Sequence, residues 1–572
     1  MRRRPFRTGT SAPQWLGSLS PAERRVWRAF PHGELVDLGV GDAEADDPAN
    51  AEQWPTDRSV RGEVIAALLL GACPAAPGAV TAVRITGARI TGQLCIDHGE
   101  VCSLLQLRGC RFDNPVDLDD ASTQSIDLRY SRLTTISALG AQVRGTLDLR
   151  DTVITGEDSR ALHADGIRIE GSLLANRISA NGSFWLINAH VGGQVTFTDA
   201  ALLNPAPNGV SLNAGGIQVG RSLLGRRLRT LGELRIPGAE IGSSLVLEGA
   251  ELDGNGRAAL YGDSLTVRSE SSFRPDVSAG QARPFRSTGS VRLLGAKFIG
   301  DLDLGGARLT AAGNRPALHG RGMTVEGSLH LTGGFHTAGE IRLTGARITG
   351  HLDIHGMDSP DALLTLYAAT ATAGVNDSPE AWPARLNLDG FVYGPFSQYS
   401  KATERLRLLT RQVRRSDDSQ VGGFRAQPYE QLADYYRSLG NDGEARTVLL
   451  AKQRAQRQEL PWLGRVPAYL LDLLVGYGYR PLRAIGWVLG LLIASSAYFS
   501  TVRPERINTE DHSVFNPVLY AADHLVPVIR FGQTDVWQYH GTPAVVTAAL
   551  TVLGWTLGIA IAAAASRTLT RN

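Results

Sequence analysis

Lysine is nearly missing from this chain. It stands only at 297, 401 and 452, and the other basic residues among 58 are arginine, which we read as base-composition bias rather than chemistry. An excess of either charge is missing too. With 58 basic and 56 acidic residues the formal charge is +2, so no global basic field draws nucleic acid and no acidic excess mimics it. Cysteine is scarce. The four, at 73, 95, 102 and 110, include no C-x-x-C pair, and spacings of seven and eight among the last three suit neither a zinc knuckle nor an iron–sulfur loop. Ordinary buried thiols in a reducing compartment, and no metal, are the expectation. No apolar stretch follows the basic Met1-Arg-Arg-Arg-Pro-Phe-Arg7, so no signal peptide is expected and the chain is predicted to begin in the cytoplasm. Catalytic strings are missing as well: there is no G-x-S-x-G, H-E-x-x-H or Walker sequence.

What is present in quantity is a repeat. Ile341-x-Leu343 is answered at the eleventh position onward by Leu352-x-Ile354, and the same step takes Val83-x-Ile85 to Leu94-x-Ile96 and Leu105-x-Leu107 to Val116-x-Leu118. A longer period of roughly 50 residues is marked by glycines at 92, 145, 193, 300 and 350, with Ser243 in the remaining place. Short alternating strands between Gly-Ala corners, with no helical periodicity, predict a right-handed parallel β-helix over 81–395. Turn-rich stretches at 156–162, 205–209 and 313–318 leave one side of it. Ala346-x-Ile348 and Ala296-x-Phe298 resemble the small and apolar positions of pentapeptide repeats, which implies a four-sided coil.

Residues 1–80 read as a helical cap. Ser20-Pro-Ala-Glu23 is a capping box before the stripe Val26, Trp27 and Phe30, and a second helix is predicted from Arg58 to Leu70, stopped by Gly71. Residues 396–460 read as a helical connector with one tetratricopeptide-like hairpin through Tyr429, Leu432, Ala433, Tyr436, Ala445 and Leu449. The basic run Arg454, Arg457 and Arg465 suits either a solvated face or anionic lipid. The segment 461–483, with Leu463, Val466, Leu470, Leu471, Leu474 and Val475, reads as an interfacial amphipathic helix.

Two stretches are long enough to span a bilayer: Ala484–Thr501, which carries no charge, and the longer Pro543–Ala565. Arginines at 465, 480 and 483 before the first and at 567 and 571 after the second place both termini in the cytoplasm. That leaves 502–542 as an extracytoplasmic loop and 566–572 as a cytoplasmic tail. Gly486 and Gly490 in the first span, and Gly554 and Gly558 in the second, are spaced for close helix packing, between the spans or between copies of the chain.

Three motifs bear on chemistry. Gly254-Asn-Gly-Arg-Ala-Ala259 has the spacing of a dinucleotide fingerprint but sits in a repeat loop without the strand and helix that fingerprint needs. Val475-Gly-Tyr-Gly478 has the letters of a potassium filter but precedes both spans. Asp303, His330, His351, Asp353 and His355 fall at outward β positions and could meet on one face, depending on whether a turn takes one or two 11-residue units.

The repeats, together with Phe424-Arg-Ala-Gln-Pro-Tyr-Glu-Gln-Leu-Ala433, Ala451-Lys-Gln-Arg454 and Val475-Gly-Tyr-Gly-Tyr-Arg-Pro-Leu482, resemble an actinobacterial family commonly labelled membrane-associated oxidoreductase. The resemblance implies redox activity with a flavin or NAD, although no residue here matches a catalytic motif. From the residues themselves we expect a scaffold: a membrane-anchored β-solenoid offering a surface to an unidentified cytoplasmic protein, with no cofactor and no nucleic acid. Its transmembrane helices could also pair copies into a homo-oligomer. The alternatives are an oxidoreductase and a two-span channel or transporter element.

Overall fold

The computed structural model describes residues 13–569 apart from 157–159, 279, 312, 314, 414–423, 463–464, 466–467, 470–471, 474–475, 479–480, 508–513 and 527–528. The basic N-terminal stretch, Arg480, Arg571, the six apolar residues named for the interfacial helix, and Val475 of the filter-like string lie outside the described residues. Contacts divide the chain into two units, one through Ser400 with 407–414, the other 401–406 with 415 onward.

The first unit is a parallel β-solenoid of about 13 turns. Its strands are mostly two or three residues long, because each contributes one inward side chain before the backbone turns a corner. On one face Val83 pairs with Leu105, Leu105 with Ile126, Ile126 with Leu147 and Leu147 with Leu173, all parallel and all buried. Each buried aliphatic of this kind contributes about 1.5–3 kcal/mol. Turns differ in length: a short one carries Leu105 to Ile126, and a much longer one carries Ser271 to Leu302. The short turn, 21 residues, is close to two 11-residue units, so the repeat seen in the sequence is about half a turn.

Four faces follow in chain order. In one turn they are Leu147–Asp148, Val153–Ile154, Arg160–His163 and Arg168–Ile169, and Leu173–Leu174 begins the next turn on the first face. The longer sequence period is two turns, because on alternate turns the chain takes more residues to pass from the second face to the third: Ile154 to Arg160, Leu202 to Val210, Leu252 to Leu260 and Thr310 to Leu318. Corners are turned by single residues in the left-handed region. Several are not glycine: Asp151 (φ 58), Arg177 (φ 54), Asp199 (φ 58) and Arg227 (φ 54) stack along one edge. Each such corner costs about 1–2 kcal/mol. Ion pairs between them offset part of it, Arg177 to Asp151 at 2.5 Å and Arg227 to Asp199 at 2.6 Å.

The N-terminal end differs from the sequence reading in two places. The capping box closes as expected, with Ser20 accepting from the Glu23 amide. The second helix, however, runs only Gly62–Leu69. Ser59–Arg61 is a strand pairing with Arg89–Thr91, because Gly62 lets the chain pass against the Gln93 backbone, where a Cβ would stand 2.5 Å away. Leu35–Asp37 also pairs with Arg84–Thr86, so the first face begins inside the segment that reads as a cap.

The second unit is helical. Gln427–Ser438 and Asp442–Arg457 form a hairpin over buried Leu432, Ala433, Tyr436, Ala445 and Leu449, with Gly440 (φ 72) between them. The basic run is not a free face: Arg454 and Arg457 converge on Asp472 at 3.0 and 3.1 Å. Arg465 donates to the Leu460 carbonyl. Helix Pro481–Thr501 and helix Thr542–Leu569 follow. The window Thr542–Ile559 is long and apolar enough to cross a membrane, and Ile485–Thr501 is a shorter apolar helix. Between them lie helix Pro517–Leu525 and a two-strand pairing of Glu505–Arg506 with Trp537–Gln538. Their core is aromatic: Phe499, Tyr520, Trp537 and Tyr539, with Leu525 and Leu550.

Candidate binding face

On a solenoid the outward residue of each strand lies one rise, about 4.8 Å, from its equivalents above and below. Rows of outward residues are therefore the natural sites. The expected cluster occupies the end of the first face. Asp303 pairs in register with His330, and His330 with Asp353. His330 Nδ1 stands 3.3 Å from Asp353 Oδ2, and its Nε2 lies 3.9 Å from Asp301. Asp303 is also met by Arg274 at 3.6 Å. His351 shares the strand of Asp353. His355 lies beyond the corner, donating its amide to Asp353 at 3.1 Å. The structure thus brings Asp303, His330 and Asp353 into one row. Among the described residues no three of His, Cys, Asp and Glu are placed to hold a metal ion.

The third face carries a longer row that the sequence reading misses. His163, Trp185, Asn213, Arg235, Tyr261, Arg292, His319 and Arg342 stack in unbroken register through eight turns. His163 meets Trp185 edge-on with centroids 6.5 Å apart. Tyr261 is held between two guanidinium groups, Arg235 and Arg292, each 4.9 Å from its ring centre. Carboxylates fix the arginines: Asp263 on Arg292 at 2.7 Å, Glu340 on Arg342 at 2.5 Å and Glu233 near Arg235 at 3.5 Å. Burial pushes Glu233 above the usual carboxylate range despite the arginines around it. Burial, then Arg342 and Arg292, pull His319 below its ordinary value.

Beside this row runs a ridge made by the excursions. Arg315 reaches back two turns to donate to the Gly256 carbonyl at 3.1 Å, tying one excursion to another. The string Gly254–Ala259 lies inside the long strand Glu251–Tyr261 with no helix after it, so it lacks the helix N-terminus that a pyrophosphate requires. A groove of about 430 Å³ near the N-terminal end is lined mainly by Ala66, Ala67, Ala72 and Leu70, with Glu63 as its charged group.

A signal for the third-face row does exist in the sequence. Each member follows a buried aliphatic or aromatic residue by one position, Leu162, Phe184, Leu212, Leu234, Leu260, Val291, Leu318 and Ile341. The excursions make the intervals uneven, which hides it.

Among the glycines of the apolar helices, a Cβ on Gly486, Gly490 or Gly558 would meet nothing within 4 Å. One on Gly554 would lie 2.6 Å from the His524 carbonyl oxygen, so Gly554 is approached by helix Pro517–Leu525. Comparison with family models, with curated proteins and with solved structures returns no match.

Proposed function

We propose that the chain is a membrane-anchored β-solenoid that docks a cytoplasmic protein partner on its third face. The observation that carries this is the in-register row Trp185, Arg235, Tyr261, Arg292 and Arg342. Trp, Tyr and Arg are the residues that dominate protein interfaces, and here their rotamers are fixed in advance by stacking and ion pairs, which lowers the ordering cost of binding.

Anchoring by two spans is supported by the outward sides of both apolar helices. Trp487, Leu489 and Ile493 on one, and Val545, Val552, Trp555 and Ile559 on the other, are exposed large hydrophobics that water would not favour. The flanking arginines support a cytoplasmic side for both termini. Gly486, Gly490 and Gly558, where a Cβ would meet nothing within 4 Å, suit pairing of copies. We take the coil as right-handed, the hand that nearly all parallel crossovers adopt.

A photo-crosslinking amino acid in place of Tyr261, in cells, tests the docking reading. It should give a discrete adduct that the same probe at Gln218, on the fourth face, does not. Equal labelling at both positions, or none at either, would remove the third-face assignment. A second reading, a two-span channel or transporter element, is favoured by the packing of helix Pro517–Leu525 against both apolar helices; ion flux in liposomes decides it.

A further inference from the structure

Helix Pro517–Leu525 packs on both apolar helices, and the level of that packing can be measured along each. Gly554, which meets the His524 and Leu525 carbonyl oxygens, belongs to a helix that starts at Thr542. At about 1.5 Å per residue its distance from that start is roughly 18 Å. On the other helix, Leu491 and Leu492 pack against the cluster that contains Leu525. They lie roughly 14–15 Å from its end at Thr501 on the same scale. The two helices agree on the depth.

If the connecting helix stayed in water, the bilayer could begin only beyond these contacts. That would leave only 555–569 of one helix and 481–490 of the other. Neither reaches the roughly 20 residues that a core about 30 Å thick requires. We propose that the connection between the spans is re-entrant at its helix: Pro517–Leu525 enters from the outer side and reaches mid-bilayer at Leu525, and Ile529–Thr534 leads back outward. This rests on the reading above that both helices span.

The polar groups near the inner end of the helix fit such a placement. The Asp523 carboxylate accepts backbone N–H groups from Phe531, Gln533 and Thr534, so the returning arm leaves few donors unmet where water is scarce. His524 Nδ1 pairs with Thr551 Oγ1 at 2.9 Å. Arg530 is exposed on the same arm, and a charge facing acyl chains is costly. The arm therefore borders a water-filled recess, while Ile493 and Val552 at the same level face lipid.

The test uses a fluorescent amino acid, in the full chain, in place of Ile529, Val514, Ile493 or Val552 in turn. Each variant is reconstituted in phosphatidylcholine vesicles carrying nitroxides at graded acyl depths, and is also exposed to aqueous iodide. The probe at 529 should share the mid-chain depth of those at 493 and 552, and should be quenched several-fold more by iodide than at 552. A shallow 529, matching 514, overturns re-entrance while the spans stand. A deep 529 shielded from iodide overturns the recess. Failure of every lipid nitroxide at 493 and 552 overturns the spanning reading itself.

Discussion

Arg227 and Asp276 are far apart in the chain, yet Nη1 of the first stands 2.6 Å from Oδ2 of the second. The same guanidinium holds Asp199 through Nε at 2.6 Å, so one left-handed corner ties two neighbouring turns and a long excursion together. Asp276 is only 6% exposed. Burial raises its pKa, but hydrogen bonds from Arg227 and Ser278 outweigh that and hold it below the ordinary carboxylate range. Stability from this pair is therefore present above the unfolded carboxylate value and is lost as pH falls through the lower folded one. Arg227→Met leaves a buried charge unpaired and should lower the unfolding free energy by about 2–4 kcal/mol near neutral pH. The deficit should shrink at acid pH, below the lowered folded value, where Asp276 is protonated even with its partner present. Urea denaturation at the two pH values checks this, and a deficit that does not change with pH would rule the coupling out.

The motif glycines 145, 193, 300 and 350 make a second prediction, because unlike Gly92 (φ 70) they serve a close approach without a left-handed backbone. A Cβ on Gly350 would lie 2.5 Å from the Gly327 carbonyl oxygen in the adjoining turn. Gly345, at a corner with φ +64, has open space instead. Gly350→Ala must push two turns apart and should cost about 1–3 kcal/mol, the range for overpacking. Gly345→Asn places a residue that tolerates the left-handed region and should cost under about 1 kcal/mol. Thermal unfolding of the two variants should separate them in that order.

Much of this architecture is legible from residues alone, since a strand has period 2 and a buried Leu or Ile recurring at every eleventh position fits little besides a solenoid. Which outward residues share a face is not legible, because turns differ in length, as the steps from Leu105 to Ile126 and from Ser271 to Leu302 show. Asp303 and His330 can be suspected of meeting, but the row from His163 to Arg342 needs the register. The strand Ser59–Arg61 reads as helix because Val60, Val64 and Leu68 fit a helical stripe; tertiary pairing with Arg89–Thr91 overrides it. Helix Pro517–Leu525 escapes the sequence reading because it is short and lies inside a segment whose charges dominate.

The four thiols should separate by exposure. Cys102 is exposed, Cys95 half-buried, and Cys73 and Cys110 are buried. Burial pushes Cys110 up to about 12, so it carries almost no thiolate near pH 8. A maleimide time course read by mass spectrometry should modify Cys102 first, and Cys110 only after denaturant is added. Rapid labelling at Cys110 in the native protein would show the first face opening between Cys110 and its neighbours.

Gly554 and Gly558 are one helical turn apart and should respond in opposite ways. A side chain at 554 must displace helix Pro517–Leu525, since even a Cβ would come 2.6 and 2.7 Å from two of its carbonyl oxygens. Gly554→Leu should therefore destabilise the helical unit by about 1–3 kcal/mol, as other overpacked sites do. At Gly558 a Cβ would meet nothing within 4 Å, so Gly558→Leu should leave thermal unfolding in detergent unchanged. If copies pair through the second span, the leucine at 558 instead blocks the approach of another backbone and shifts the population toward monomer, which light scattering after gel filtration measures. Loss of stability at 558 but not at 554 would mean that the connecting helix docks elsewhere, and the depth assigned to it would fall with that result.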